Sequence, residues 1–260
     1  MTGQDYVEVQ GLTVDFDGFK ANDHVDVTFL QGRIHFLIGP NGAGKTTLVD
    51  ALTGLVKGTG YARYGNRDLL ALKSHQISRA GVGRTFQTAT VFEELTVLQN
   101  LDIAGGVHRR PWSMVFARRG VPDYVQEAME TVGLADLRDR PAGILAHGQK
   151  QWLEIGMLLV QDAKLLMLDE PVAGMSAEEK DETGRLLQRI AEERTVVIVE
   201  HDMDFMRAFA KSVTVLHAGK VLSEGSVAAV QADPRVQEVY LGPGHHSEDE
   251  VAAVLGTEGL

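Results

Sequence analysis

"RIHFLIGPNGAGKTTLVDAL", residues 33–52, runs from an apolar segment through a glycine-rich loop into a second patterned segment. "RIHFLIG" reads as a buried strand, and "KTTLVDALTGL" from Lys45 reads as a helix. The loop between them, "GPNGAGKTT" (39–47), satisfies G-x-x-x-x-G-K-[ST] in the setting that this chemistry requires, after a buried strand and before a helix. Glycines let backbone N–H groups turn inward around a β-phosphate, and the helix N-terminus adds its positive dipole end. The candidate contacts are Gly39, Asn41, Gly42, Ala43, Gly44, Lys45, Thr46 and Thr47. Lys45 is placed to reach the β- and γ-phosphates and Thr46 to put its hydroxyl on Mg²⁺. The competing reading is a glycine-rich turn without a ligand. All the fixed positions occur in the right order and context, which favours a nucleoside triphosphate.

The rest of the chain is large enough to complete such a fold. At 260 residues it can form one full α/β domain with a lobe inserted into it. A net charge of −11 argues against nucleic acid as the main partner, because that partner favours a basic surface. No cysteine is present, so neither disulfides nor thiolate metal sites are available, and a reducing compartment fits. The N-terminus "MTGQDYVEVQ" has no basic segment followed by an apolar one, as a signal peptide would. No apolar run approaches the ~18 residues that cross a bilayer. Work at a membrane would therefore need another chain to span it.

Outward from the loop, "YVEVQGLTVDF" (6–16) and "HVDVTFL" (24–30) alternate as strands of an antiparallel region. The strand pattern resumes at "GVGRTF" (81–86). In the following "LTVLQNLDIAG", Thr96 and Gln99 have capping-box spacing at a helix start. Residues 106–147 read as mostly helical and irregular, with "PDYVQEAMETVGL" the clearest helix, and the span from about 88 to 160 is taken as an inserted helical lobe. "KLLMLDE" (164–170) and "TVVIVEH" (195–201) return the chain to a sheet, with Ser176 and Glu179 at capping-box spacing before an intervening helix. Strands separated by such helices imply right-handed crossovers and a parallel sheet. "SVTVLHAGKVLSEG" (212–225) reads as a hairpin turning at Ala218-Gly219. The tail from Gly242 is polar and acidic and is expected to be partly disordered.

In open parallel sheets ligands bind beyond the carboxyl ends of the strands. Three further strands end there in polar residues. "LLMLDEP" ends in Asp169, suited to Mg²⁺, and Glu170, suited to polarising an attacking water. "VIVEHD" ends in Glu200, His201 and Asp202, and "GRTFQ" in Gln87, whose amide can touch Mg²⁺ or water. Alone, the histidine reads as structural and the glutamine carries almost no signal. The order Lys45, Gln87, Asp169, His201 across one sheet raises all of them together.

In these residues the sequence resembles the ATP-binding cassette (ABC) family over about residues 5–241. "GPNGAGKTT" looks like its Walker A, "RTFQ" its Q-loop, "LAHGQ" its signature, "LLMLDEP" its Walker B with the catalytic glutamate, "AGMS" its D-loop and "VEHD" its H-loop. The resemblance implies the ABC-ATPase variant of the P-loop NTPase fold, α/β, with a parallel core sheet, an antiparallel β subdomain and an inserted α-helical subdomain. It places residues 1–241 in one ATPase domain and 242–260 in an acidic tail. It further implies two subunits sandwiching two ATPs with Mg²⁺, each ATP held by Walker A of one chain and the signature of the other. Thr46, Gln87 and Asp169 would serve the metal, Glu170 would act as general base and His201 would contact the γ-phosphate. An aromatic residue stacks on adenine in the family; Phe16 in "VDFDGF" is the first candidate and Phe19 the second, while Phe16 could equally be core.

A narrower likeness, carried by "GRTFQTATVFEELTVLQNL", "HGQKQWLEIGMLL", "DEPVAGMS", "VEHDMDFM" and "VYLG", is to the branch of urea and branched-chain amino acid importers. Within it the stretches look most like the ATP-binding subunit of urea transporters. Transmembrane permease subunits, a second ATP-binding subunit and, indirectly, a periplasmic or extracellular solute-binding protein are the implied partners, with the chain peripheral at the cytoplasmic face of the membrane. A groove beside Gln87 is expected to receive a short helix of the membrane subunit. No residue of this chain would touch the solute.

Other nucleotide-binding classes fit less well. ABC proteins of DNA repair insert a long coiled coil between the Walker motifs, whereas here about 130 residues (39 to 169) separate them without sustained heptads. Translation-type ABC proteins carry two cassettes in one chain, and no guanine-reading N-K-x-D is present. An inactive cassette stays open because of Ala146. The family usually has serine there, whose hydroxyl reaches the opposite subunit's γ-phosphate and caps the signature helix, and alanine does neither. Gly148 still allows close backbone approach and Gln149 keeps its side chain, so slower turnover and weaker ATP-dependent dimerisation are expected rather than inactivity. Trp152, Ile155, Gly156 and Leu159 fall on one face of that helix and read as packing within the lobe. "RRPWSMVFARR" (109–119) reads as a solvated amphipathic face rather than a lipid or RNA patch, and "GHH" (244–246) is too short for a metal site.

Overall fold

A computed structural model describes residues 6–85, 91–108 and 120–241. Two sheets form the body of the molecule. The first holds β1 (Tyr6–Phe16), β2 (Phe19–Leu30), β4 (Thr59–Tyr64) and the two-residue β5 (Arg67–Asp68), all antiparallel, in the order β2-β1-β4-β5. The second has the order β10-β9-β3-β8-β7-β6. Its members are β3 (Ile34–Ile38), β6 (Val82–Arg84), β7 (Leu165–Asp169), β8 (Thr195–Val199), β9 (Ser212–His217) and β10 (Lys220–Gly225). Only β10, returning from the Ala218-Gly219 turn, is antiparallel in it.

The near-continuous apolar character of β3, β7 and β8 has a packing cause, since both faces of this sheet are covered. Side chains alternate between two hydrophobic clusters. Phe36, Leu166, Leu168, Val196 and Ile198 point into one, and Leu37, Leu165, Met167, Val197 and Val199 into the other. The first cluster also holds α3 (Val97–Ala104), α4 (Asp123–Thr131) and α5 (His147–Val160), together with α6 (Ala177–Ala191) and α7 (Met203–Phe209). The second joins the antiparallel sheet to α1 (Lys45–Leu52) and to Ile77 of α2 (Ser74–Arg79). The inserted helices therefore share one uninterrupted core with the sheet. α5 carries the chain out of the lobe and, through residues 161–164, straight into β7.

Two features were poorly legible in the sequence. β2 begins at Phe19 rather than near 24, and β4 and β5 had no clear pattern. Bulges in the β1–β2 ladder between Val9 and Asp15, and a left-handed His24 (φ 53°), break the two-residue alternation on which strand reading depends. The helix ends follow their caps. Thr96 Oγ1 accepts from Gln99 N–H (3.1 Å) while Gln99 Oε1 accepts from Thr96 N–H (2.8 Å), and Ser176 with Glu179 repeats the arrangement at α6 (3.3 and 2.8 Å). The face of α5 divides between two neighbours. Gly156 abuts Leu101 and Val132 inside the lobe, but Trp152 Nε1 donates to Thr183 Oγ1 of α6 at 2.9 Å, so this face also fastens the lobe to the sheet-covering layer.

The last elements are α8 (Val227–Gln231) and α9 (Pro234–Leu241). The segment 109–119 and the tail from 242 lie outside the described residues. Among the described residues no helix is long and apolar enough to cross a membrane.

Candidate functional site

Three of the parallel strands deliver polar residues to one edge of the sheet. β3 ends at Ile38, and the loop 39–44 turns into α1. Two of its glycines are required by close contacts. A Cβ on Gly39 would lie 2.1 Å from the carbonyl oxygen of Leu216, and one on Gly44 (φ 99°) would lie 2.3 Å from that of Ala21. Buried Asn22 of β2 seals this contact by donating from Nδ2 to the Gly44 carbonyl (3.1 Å), and Gly219 N–H donates to the Ala43 carbonyl (3.1 Å). The antiparallel sheet and the β9–β10 turn thus clamp the loop from two sides.

Asn41, Gly42 and Thr46 are exposed on the loop, Lys45 and Thr47 are half-buried, and Ala43 and Gly44 are buried. Lys45 Nζ donates to the carbonyls of Gly39 (2.7 Å) and Pro40 (3.1 Å), bending back over its own loop. Burial holds its pKa below the usual lysine value, opposed by the negative charges of Glu170 and Asp169. That opposition places the ammonium in the field of both carboxylates.

Asp169 ends β7 and is buried. Its N–H donates to Thr85 Oγ1 (3.2 Å), its Oδ2 accepts from Arg84 (3.4 Å), and its buried Oδ1 makes no hydrogen bond among the described residues. Burial raises its pKa and the Arg84 guanidinium opposes the rise. An orphaned buried carboxylate oxygen at the mouth of a phosphate loop, with exposed Thr46 at the start of α1, suits a hard divalent cation. Glu170 follows with φ 50°, a left-handed conformation that costs a non-glycine residue about 1–3 kcal/mol. Its N–H donates to the Val199 carbonyl (2.9 Å), which pins the turn and swings its side chain off the strand. Glu170 Oε1 then lies 3.6 Å from Nδ1 of exposed His201, beyond β8.

Sequence reading assigned no task to two residues that build this edge. Glu200, 2% exposed, accepts N–H groups from Val172 (3.3 Å), His201 (3.0 Å) and Asp202 (3.3 Å), which joins the turns after β7 and β8. Burial pushes its carboxyl pKa up against those three donors. Arg84 was the second, and its only signal was a charged residue inside an apolar strand. Phe16 and Phe19 flank the Asp17-Gly18 turn at the tip of the β1–β2 hairpin and are 50% and 68% exposed, so neither is core. The same hairpin supplies Ala21 and Asn22 to the phosphate loop.

The signature stretch lies at the start of α5, apart from this cluster. Ala146 is its N-cap and is exposed, and no side chain caps the helix there. Gln149 Oε1 accepts from Ala146 N–H (3.0 Å), so half of a capping box forms. His147 Nε2 lies 3.0 Å from the Ala173 carbonyl in the loop after Glu170. Gly148 is buried, and a Cβ there would lie 3.2 Å from Glu179 Oε1, so its close approach is realised within this chain. The structure unites Lys45, Asp169, Glu170 and His201 and keeps Ala146, Gly148 and Gln149 separate. Gln87 lies outside the described residues.

A family description reading "ABC transporter" matches residues 22–173, and another, "Branched-chain amino acid ATP-binding cassette transporter", matches residues 220–246. The chain is 34% identical over 249 residues to the high-affinity branched-chain amino acid transport ATP-binding protein BraF of Pseudomonas aeruginosa, covering 91% of this chain and 97% of that protein. It is 34% identical over 252 residues to LivG of Escherichia coli K12, named for the same transport, covering 92% and 98%. Among solved structures it is similar to the ADP conformation of an ATP-binding cassette of an ABC transporter. There the TM-score is 0.80 at 30% identity, covering 93% of this chain and 100% of that one. These relatives favour the branched-chain amino acid reading over the urea reading of the five stretches.

Proposed function

This chain belongs to the ABC transporter family, and on that premise we propose that it drives an importer of the branched-chain amino acid type. It is an ATPase of that family, which binds ATP with Mg²⁺ and couples hydrolysis to transport. One observation carries the assignment of roles: the phosphate-loop lysine, two carboxylates and a histidine from three different strand ends meet at one edge of the sheet.

ATP binding draws Lys45 away from the Gly39 and Pro40 carbonyls onto the β- and γ-phosphates, and the inward N–H groups of the loop and α1 hold the remaining phosphate oxygens. Thr46 and Asp169 Oδ1 would hold Mg²⁺, with Gln87 as a further candidate, and the ion supplies positive charge to the phosphates. Glu170 takes the proton of the attacking water as general base. His201, beside it, donates to the γ-phosphate as charge builds there. Phe16 stacks on the adenine, with Phe19 as its alternative.

The trans half of each site comes from the signature of a second ATP-binding subunit, so closure of the dimer depends on ATP, and hydrolysis releases it. Closure moves transmembrane permease subunits that dock in a groove of about 270 Å³ lined by Leu55, Ile77, Val82, Met157, Leu158 and Gln161. This groove borders Arg84 and Thr85, where the chain leads into the Gln87 segment. The chain then sits at the cytoplasmic face of the membrane, and a solute-binding protein on the far side selects the solute.

Two experiments test the reading. Lys45→Ala is expected to weaken ATP binding by at least about a hundredfold, the loss of a charge-assisted phosphate contact together with its Coulomb attraction; unchanged affinity overturns the phosphate-loop assignment. For the solute, the ATPase of the complex copurified with its membrane subunits and binding protein is measured with leucine and with urea. Stimulation by leucine is expected, and stimulation by urea alone overturns the branched-chain assignment.

A further inference from the structure

A charged residue with no part in the roles proposed for this edge lies buried beside Asp169. The Arg84 side chain is only 8% exposed, at the end of the edge strand β6. Its Nη1 pairs with Asp50 Oδ1 of α1, and its Nη2 reaches Asp169 Oδ2 at 3.4 Å. Thr85, the next residue, accepts the Asp169 N–H on its hydroxyl (3.2 Å) and donates its own N–H to the Met167 carbonyl (3.0 Å). The Arg84-Thr85 pair thus grips both the main chain and the side chain of Asp169. A buried arginine is costly unless its partners are placed to repay desolvation. Here the partners belong to the two elements that frame the metal: α1, which begins with Lys45 and Thr46, and β7, which ends in Asp169.

We propose that Arg84 is a positioning residue for the metal site, pinning Asp169 through Oδ2 so that Oδ1 alone faces the cation. The inference rests on the assignment of Asp169 to Mg²⁺. One oxygen of the carboxylate is occupied by the guanidinium, and the other is buried without a hydrogen-bond partner among the described residues. The planar fork of arginine can serve Asp50 and Asp169 at once, which the single ammonium of lysine cannot do in the same geometry. The clamp also ties the metal carboxylate to the strand that runs into residues 86–90.

The test uses the full chain carrying Glu170→Gln to prevent turnover, with Mn²⁺ as probe, followed by its paramagnetic resonance signal at saturating ATP. ATP affinity is measured separately in EDTA. Arg84→Lys is expected to raise the Mn²⁺ half-saturation concentration about tenfold while leaving ATP affinity in EDTA at the parent value. Asp50→Asn, which removes the other anchor and leaves Asp169 untouched, is expected to raise the same midpoint by less, and it decides the matter if Arg84→Lys does not fold. A parental Mn²⁺ midpoint overturns the proposal. So does a parallel fall in ATP affinity without metal, because that marks general loosening of α1. If the parent chain itself binds no ATP, the functional reading fails and takes this inference with it.

Discussion

The phosphate-loop edge and the start of the signature helix are the two halves of one nucleotide site in this family, and they are built differently. At the first, contacts from distant parts of the chain hold three positions: the Gly44 carbonyl by Asn22, Asp169 by Arg84 and Thr85, and the Glu170 main chain by the Val199 carbonyl. At the second, the polar groups turn inward: Gln149 onto Ala146 N–H, His147 onto Ala173, and Gly148 against Glu179. The first half holds its carboxylates in place before the phosphates arrive, and Lys45 alone must leave the Gly39 and Pro40 carbonyls to meet them. The second lacks the hydroxyl usual in its family and leaves a helix N-terminus as its main attraction for an anion.

Four variants sharpen this contrast, from the largest effect to the smallest. Glu170→Gln is expected to lower steady-state ATPase by about 10²–10⁴-fold, the range for removing a general base, with ATP binding retained and an ATP-bound dimer accumulating on gel filtration. Hydrolysis at the parent rate would move the base elsewhere on this edge. Phe16→Ala is expected to weaken ATP binding by about three- to tenfold through lost stacking, and Phe19→Ala to have the smaller effect. A reversed order, read by titration with a fluorescent ATP analogue, would exchange the two rings. Ala146→Ser is expected to stabilise the nucleotide-free chain by about 1 kcal/mol by restoring an N-cap acceptor. It should also raise ATP-dependent dimerisation several-fold through one more phosphate hydrogen bond. A gain in melting temperature without a gain in dimerisation would confine the serine to capping. No change in either would make position 146 indifferent.

The two halves were also unequally legible. At the phosphate-loop edge, residue type and place at a strand end point the same way, and Lys45, Asp169, Glu170 and His201 meet there, but the sheet sets the strand before His201 between those of Lys45 and Asp169, which their order along the chain does not show. At the signature, the identity of Ala146 was plain, but the partners of its neighbours were not. Nothing local in "LAHGQ" reveals that His147 faces the Ala173 carbonyl or that Gly148 abuts Glu179, 31 residues away along the chain (148 to 179). Trp152 likewise showed a helical face without showing that its indole reaches α6.

By itself the sequence determined what depends on neighbours along the chain. It determined the apolar strands, the capping boxes at Thr96 and Ser176, the phosphate loop and the polar residues that end the strands. Each rests on backbone geometry repeated over a few residues, which a short pattern encodes. The tertiary structure alone decided the contacts between distant segments. These are Asn22 sealing Gly44, Glu200 joining two turns, Arg84 bridging α1 to Asp169, and the β1–β2 hairpin bringing Ala21 against the loop. Such contacts follow from how sheets and helices pack after they form, and a buried charge declares its purpose only once its partners are seen.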